Sequence, residues 1–155
     1  MRQRSRVKIS PETFYLTIYK VKNKTYFMTR LFNKHRWLAI VLTTLMAIEI
    51  FYFSTLQGTT GGIQNIWLSY AYHFIAFFLL AFFLFNSIKG NKKLEKSHII
   101  LTGIISLLYS ISDEIHQLFV PLRDASIGDI FTDSLGICFA LFIGFIINKK
   151  TNAQS

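Results

Sequence analysis

Cysteine is nearly missing from this chain: Cys138 stands alone, inside an apolar run. Neither a disulfide framework nor a thiolate metal site can be built on it, and it is silent on redox compartment. Proline is almost as scarce, two residues against 16 phenylalanines, and only Pro121 falls beyond the amino-terminal stretch. Acidic residues number eight against 17 Lys and Arg, for a net charge of +9. Such a balance can signal nucleic acid, but here the placement of the cations decides. Ten lie before residue 37 and four more between Lys89 and Lys96. Basic clusters beside apolar spans report topology and contact with anionic lipid headgroups, so nucleic acid is not an expected partner. Amphipathic striping is absent too. The apolar residues, 52% of the chain, gather in blocks instead of recurring every 3.6 positions. A run of about 20 apolar residues crosses a bilayer, whereas helices of soluble proteins keep a polar face. The class expected is an all-α integral membrane protein.

Four spans account for the blocks. The first runs from about Trp37 to Ser54 and ends in the Gly-rich turn QGTTGG. No small-residue cleavage site follows it, so it reads as a retained span and not as a signal peptide. The second covers about Ile66 to Ile88. The third opens near His98 and is apolar only to Ile111, which is short for a crossing. Continued through DEIHQLF to Phe119 it reaches full length, with Pro121 marking its end. The fourth runs from about Ile127 to Ile147 and stops at NKK.

The loops set the orientation. The amino-terminal arm, the loop after the second span and the tail from Lys149 are basic, while residues 55–65 carry no charge. Lys and Arg concentrate on the cytoplasmic side, which predicts a four-helix bundle with both termini cytoplasmic. Residues 1–36 form a basic, aromatic cytoplasmic arm ahead of a membrane domain over 37–150. The arm's mixture of aromatic and basic residues fits a short strand or an interfacial segment equally, and Met28 is an alternative start.

Against this apolar background one stretch stands out. Residues 112–136, SDEIHQLFVPLRDASIGDIFTDSLG, place Asp113, Glu114, His116, Gln117, Arg123, Asp124, Asp129 and Asp133 close together. Ionisable groups in or near hydrocarbon cost several kcal/mol unless paired or hydrated, so they default to a functional-site hypothesis. On the expected topology, Glu49 lies roughly 8 Å and His73 roughly 10 Å below the outer surface, taking 1.5 Å per residue. The ionisable residues within the spans thus gather in the outer half. Asp113, His116 and Gln117 share one helical face, with Glu114 about 100° round from Asp113. Asp129, Asp133 and Gly136 share another, and Gly136, Ala140 and Gly144 continue it as a small-residue stripe that lets a neighbouring helix approach. The expectation is a polar pocket open to the outer leaflet. The plainer alternative is an interhelical hydrogen-bond network that only holds the bundle together.

At these residues the chain resembles a known family. FYFSTLQG, HFIAFFLLAFFLF and DEIHQLFVPLRDASIGDIFTDSLG are similar to three signature segments of the VanZ-like membrane proteins, in that order, over about Phe51 to Ile147. The DEIHQ segment with its following Phe, Pro, Arg and Asp is the specific part. The resemblance implies a bacterial plasma-membrane protein and a contribution to resistance against teicoplanin-type glycopeptides. Three positions depart from the family pattern. Leu122 stands where a Gly usually precedes the Arg, Asp133 stands where an Asn is usual, and Ser69 and Tyr70 replace a charged residue near the histidine of the second span.

Two classes of function follow. In the first, the pocket binds an envelope component, either a lipid-linked cell-wall precursor or the glycopeptide itself, without chemistry. Glu49, His73, Glu114, Gln117, Arg123 and Asp133 are then binding residues, the Arg123 fork being suited to phosphate or carboxylate. In the second, the protein is an enzyme acting on a lipid-linked substrate, with His116 as acid/base and Asp113 or Asp129 orienting it. No recognised catalytic motif is present, which favours the first. A metal ion held by His116, His73 and Asp129 ranks last because no His-x-Glu type motif occurs, so no metal and no cofactor is expected. A transport path is not expected either, for want of polar residues in the inner half to complete it.

Overall fold

The computed structural model describes residues 12, 31, 35–56, 66–121, 123 and 125–152. Four helices make up almost all of it: α1 (Arg36–Thr55), α2 (Ile66–Lys89), α3 (Lys96–Gln117) and α4 (Ile127–Asn152). Among the described residues there is no strand. Each helix is long and apolar enough to cross a bilayer, which makes this a multi-pass membrane protein. The arm apart from a few residues, the Gly-rich turn after α1, Met28 and Asp124 lie outside the described residues.

The helix ends follow from local chemistry. α1 and α2 begin and end within a residue of the expected spans, and α4 continues past Ile147 to Asn152. The third helix is shifted: it starts at Lys96, before His98, and stops at Gln117, short of Phe119. Its start is set by a capping box, in which the Glu95 side chain accepts from the His98 backbone N–H and His98 Nδ1 accepts from the Glu95 N–H at 3.1 Å. Its end tightens into a 3₁₀-like turn before Pro121. There Phe119 N–H bonds to His116 O and Val120 N–H to Gln117 O, each at 3.0 Å. Asp113 to Gln117 still form the last turns of the helix, as expected. Between α2 and α3, Gly90 adopts φ +51° and donates to Asn86 O at 2.9 Å, a left-handed helix cap that needs glycine.

α1 and α2 are antiparallel, stapled where Arg36 Nε donates to Ser87 O at 2.7 Å. α2 and α4 run in the same direction, with Gly136 against Phe74 and Gly144 against Phe85. A Cβ at Gly136 would lie 2.5 Å from the Phe74 carbonyl oxygen, so the two backbones nearly touch. The stripe Gly136, Ala140, Gly144 is therefore where α4 meets α2. Around this seam sits the apolar core, Ile50, Ala76, Phe77, Leu80, Ala81, Ile137 and Ala140.

α3 is built inside out. Its buried residues are all polar: His98, Thr102, Ser106, Ser110, Asp113, Glu114 and Gln117. Its apolar residues, among them Ile100, Ile104, Leu108 and Ile115, face outward. Lipid tails are as apolar as leucine, so nothing drives these side chains inward, whereas the polar stripe gains by leaving the lipid. This corrects the expectation that polar residues are missing from the half near the basic loops. Thr102, Ser106, Asn86 and Asn148 are buried there. Most bond back to their own helix, as Thr102 Oγ1 does to His98 O at 2.7 Å and Asn86 Nδ2 to Phe82 O at 2.7 Å.

Candidate polar site at the charge-poor end

α1 and α3 finish, and α2 and α4 begin, at the end of the bundle whose loops carry few charges. The close approach of α4 to α2 sets Asp133 beside His73, at 3.0 Å from Asp133 Oδ1 to His73 Nδ1. The other oxygen of Asp133 accepts from the Ser110 hydroxyl of α3 at 2.7 Å. Asp133 is completely buried. With Asp133 ionised, the His73 proton belongs on Nδ1, and Nε2 faces Asp129 Oδ1 at 4.0 Å. Asp129 and Asp133 present one face, as their spacing of four requires.

Glu114 of α3 is anchored from the loop. Its Oε2 accepts from the Ser126 backbone N–H at 2.8 Å, and the Ser126 hydroxyl accepts from Gly128 N–H at 3.1 Å where α4 starts. A chain of polar contacts continues outward. Gln117 Nε2 donates to Asp113 Oδ2 at 2.9 Å, and Arg123 Nη1 donates to Gln117 Oε1 at 3.2 Å. Arg123 then turns onto the end of α1, donating to Phe53 O at 2.7 Å and Leu56 O at 3.2 Å. Phe53 O also accepts the Leu56 backbone N–H at 3.3 Å, so the guanidinium adds a second donor there and a donor to Leu56 O, closing the bundle end.

The sequence candidates divide into those brought together and those set apart. His73, Glu114, Asp129 and Asp133 converge. Asp113, Gln117 and Arg123 form the adjoining chain. Glu49 takes the Tyr72 hydroxyl at 3.3 Å. His116 lies apart, its ring against Phe51 with centroids 4.7 Å apart. The histidine among the carboxylates is thus the one from α2. The ligand-rich group is His73, Glu114 and Asp133, which offer one atom each within 4.8 Å of one another. That differs from the set His116, His73 and Asp129. Sequence reasoning missed Ser110 and Tyr72. Ser110 had a signal, since it ends the series His98, Thr102, Ser106 at steps of four.

Among the described residues, Glu49 Oε2, Glu114 Oε1, His116 Nε2 and Asp129 Oδ1 are buried and take no hydrogen bond. All four belong to this end of the bundle, while the Ser106 hydroxyl, midway along α3, is unpaired as well. Buried polar atoms are rarely left unpaired, and unpaired acceptors together suit a donor-rich or cationic group.

A protein-family model described as VanZ/LLP1 matches residues 13–148. The match begins within the arm, upstream of the Phe51 to Ile147 stretch covered by the signature segments, so the arm from residue 13 is included in it. No curated protein and no solved structure gives a match.

Proposed function

The chain belongs to the VanZ/LLP1 family, and we propose that it is an envelope-binding protein of the bacterial plasma membrane. In this reading both termini are cytoplasmic and the polar cluster faces the outer leaflet, as the placement of Lys and Arg favours. The cluster engages the headgroup of a lipid-linked cell-wall precursor or the glycopeptide itself, and so contributes to resistance against teicoplanin-type drugs. The observation that carries this is the pair of buried carboxylate oxygens that take no hydrogen bond, Glu114 Oε1 and Asp129 Oδ1, beside His73. A network that only held helices together would close on itself.

The test is expression in a glycopeptide-susceptible bacterium, with teicoplanin inhibitory concentrations measured for empty vector, wild type, Glu114→Gln and Asp129→Asn. Immunoblots of membranes report accumulation. Wild type is expected to raise the inhibitory concentration, and the two variants to return it to the vector level while still accumulating. A wild type that protects no better than vector, or accumulating variants that protect fully, refutes the reading.

A second reading is favoured by the ordered series Ser110, Asp133, His73. It holds an imidazole in one orientation with Nε2 unblocked, the arrangement of a general acid/base. The enzyme alternative then works through His73 in place of His116. Incubating the purified protein with a lipid-linked wall precursor in vesicles separates the two. A change in precursor mass that is lost in His73→Ala supports catalysis, and an unchanged mass leaves binding.

A further inference from the structure

We propose that His73, Glu114 and Asp133 form a divalent transition-metal site inside the bundle. The inference deepens the proposed function, since it rests on the cluster being a ligand site. It departs from the expectation that no metal is bound.

Three observations converge. The first is geometric. The three side chains come from α2, α3 and α4, and their ligand atoms lie within 4.8 Å of one another. His73 Nδ1 and Asp133 Oδ1, 3.0 Å apart, already have the separation of two ligands on one ion at bonds of about 2.1 Å, with the ion replacing the proton they share and that proton released on binding. The widest spacing calls for a side-chain rotation of roughly 1–2 Å to reach those bond lengths, within the reach of a glutamate.

The second is the unpartnered oxygens. Glu114 is 3% exposed and its Oε1 takes no hydrogen bond, while Oε2 is pinned by the Ser126 N–H. Asp129 Oδ1 takes no hydrogen bond either, but it faces the opposite ring nitrogen, 4.0 Å from His73 Nε2, so Glu114 alone offers its free oxygen to the ion. Metal-bound carboxylates have this pattern, one oxygen fixed by the protein and one kept for the ion.

The third is charge. Three buried carboxylates surround one imidazole, and among the described residues no Lys or Arg pairs with any of them. Arg123, the nearest basic residue in the chain of contacts, is spent on Gln117, Phe53 and Leu56. A divalent cation balances such a cluster in a low-dielectric setting, where unpaired carboxylates are costly. One imidazole with carboxylates suits Zn²⁺ or Mn²⁺ better than Mg²⁺ or Ca²⁺, which favour all-oxygen shells. The ion also resolves a conflict in the proposed function. An anionic headgroup would be repelled by bare carboxylates, whereas a metal with an open position takes a phosphate or carboxylate oxygen directly.

The test uses the full chain, purified in detergent, stripped with chelator and titrated with Co²⁺ as a visible probe. Wild type is expected to develop Co²⁺ d–d absorption saturating at one ion per chain, bleached by Zn²⁺ and untouched by Mg²⁺. Glu114→Gln and Asp133→Asn are expected to lose it while keeping helical circular dichroism and a monodisperse elution. His73→Cys in a Cys138→Ser background adds a gain of signal, a near-ultraviolet thiolate-to-cobalt charge-transfer band, read in protein that keeps its helical circular dichroism and elutes as a single species. If the Gln and Asn variants do not fold, that band alone decides: its presence supports the site and its absence overturns it. No Co²⁺ spectrum in wild type, or an undiminished one in folded Glu114→Gln and Asp133→Asn, also overturns it. A protein that protects cells yet takes up no metal sinks this inference alone. One that takes up metal yet protects no cells sinks the envelope reading alone.

Discussion

Replacing Gly136 with alanine puts a methyl carbon 2.5 Å from the Phe74 carbonyl oxygen and 3.0 Å from the Phe78 amide nitrogen. Both are backbone atoms, so no side-chain rotation relieves the clash. Restoring an ordinary 3.4 Å contact moves α4 away from α2 by about 0.9 Å, an overpacking strain that typically costs about 1–3 kcal/mol. The displacement acts directly on the site, because His73 adjoins Phe74 and Asp133 lies about one turn from Gly136. The 3.0 Å His73–Asp133 contact would open to about 3.9 Å, beyond hydrogen-bonding range. Losing an interhelical hydrogen bond in a bilayer adds about 0.6–1.7 kcal/mol. The expected total is about 2–5 kcal/mol, read as a lower unfolding temperature in detergent together with loss of glycopeptide protection. Gly103→Ala is the matched control. Its Cβ would meet only Leu141 Cδ1 at 3.5 Å, an ordinary contact, so its effect should be small. A Gly136→Ala protein as stable as wild type, or one no worse than Gly103→Ala, refutes the close-packed seam and its hold on the site.

Ser110→Ala removes the donor to Asp133 Oδ2 and leaves a completely buried carboxylate oxygen unpaired. It should cost about 1–3 kcal/mol in thermal unfolding, and an unchanged midpoint would show that the bond does not form. Arg123→Lys keeps the charge but loses the planar fork that spans Gln117, Phe53 and Leu56. It is expected to be destabilised by about 1 kcal/mol, and full stability in the Lys variant would contradict the clamp. Single cysteines at Thr59 and Ser126 should react with an impermeant thiol reagent in intact cells. Protection of both positions would reverse the proposed orientation.

The apolar blocks, the break at Pro121 and the carboxylates at steps of four were legible in the residues because helical period and bilayer thickness act locally. So was the small-residue stripe of α4, since only Gly and Ala allow so close a crossing. Its partner was not legible. Nor was the choice between His73 and His116, since each occupies a believable depth in its own span. The buried hydroxyls of α3 were overlooked because Thr102 and Ser106 scarcely disturb an apolar average.

The sequence by itself determined the number of crossings, their approximate ends and the phase of polar residues within each helix. It also marked the charge-poor end as the place where ionisable groups gather. Only the tertiary structure decided how each helix is rotated and which neighbour it meets. It placed His73 against Asp133, laid His116 on Phe51 and turned Arg123 onto α1. The physical reason lies in the solvent. In lipid an apolar side chain gains little by turning inward, so hydropathy leaves rotation undetermined. Rotation is settled by interhelical contact, through the approach of Gly136 to Phe74 and the burial of the polar stripe of α3.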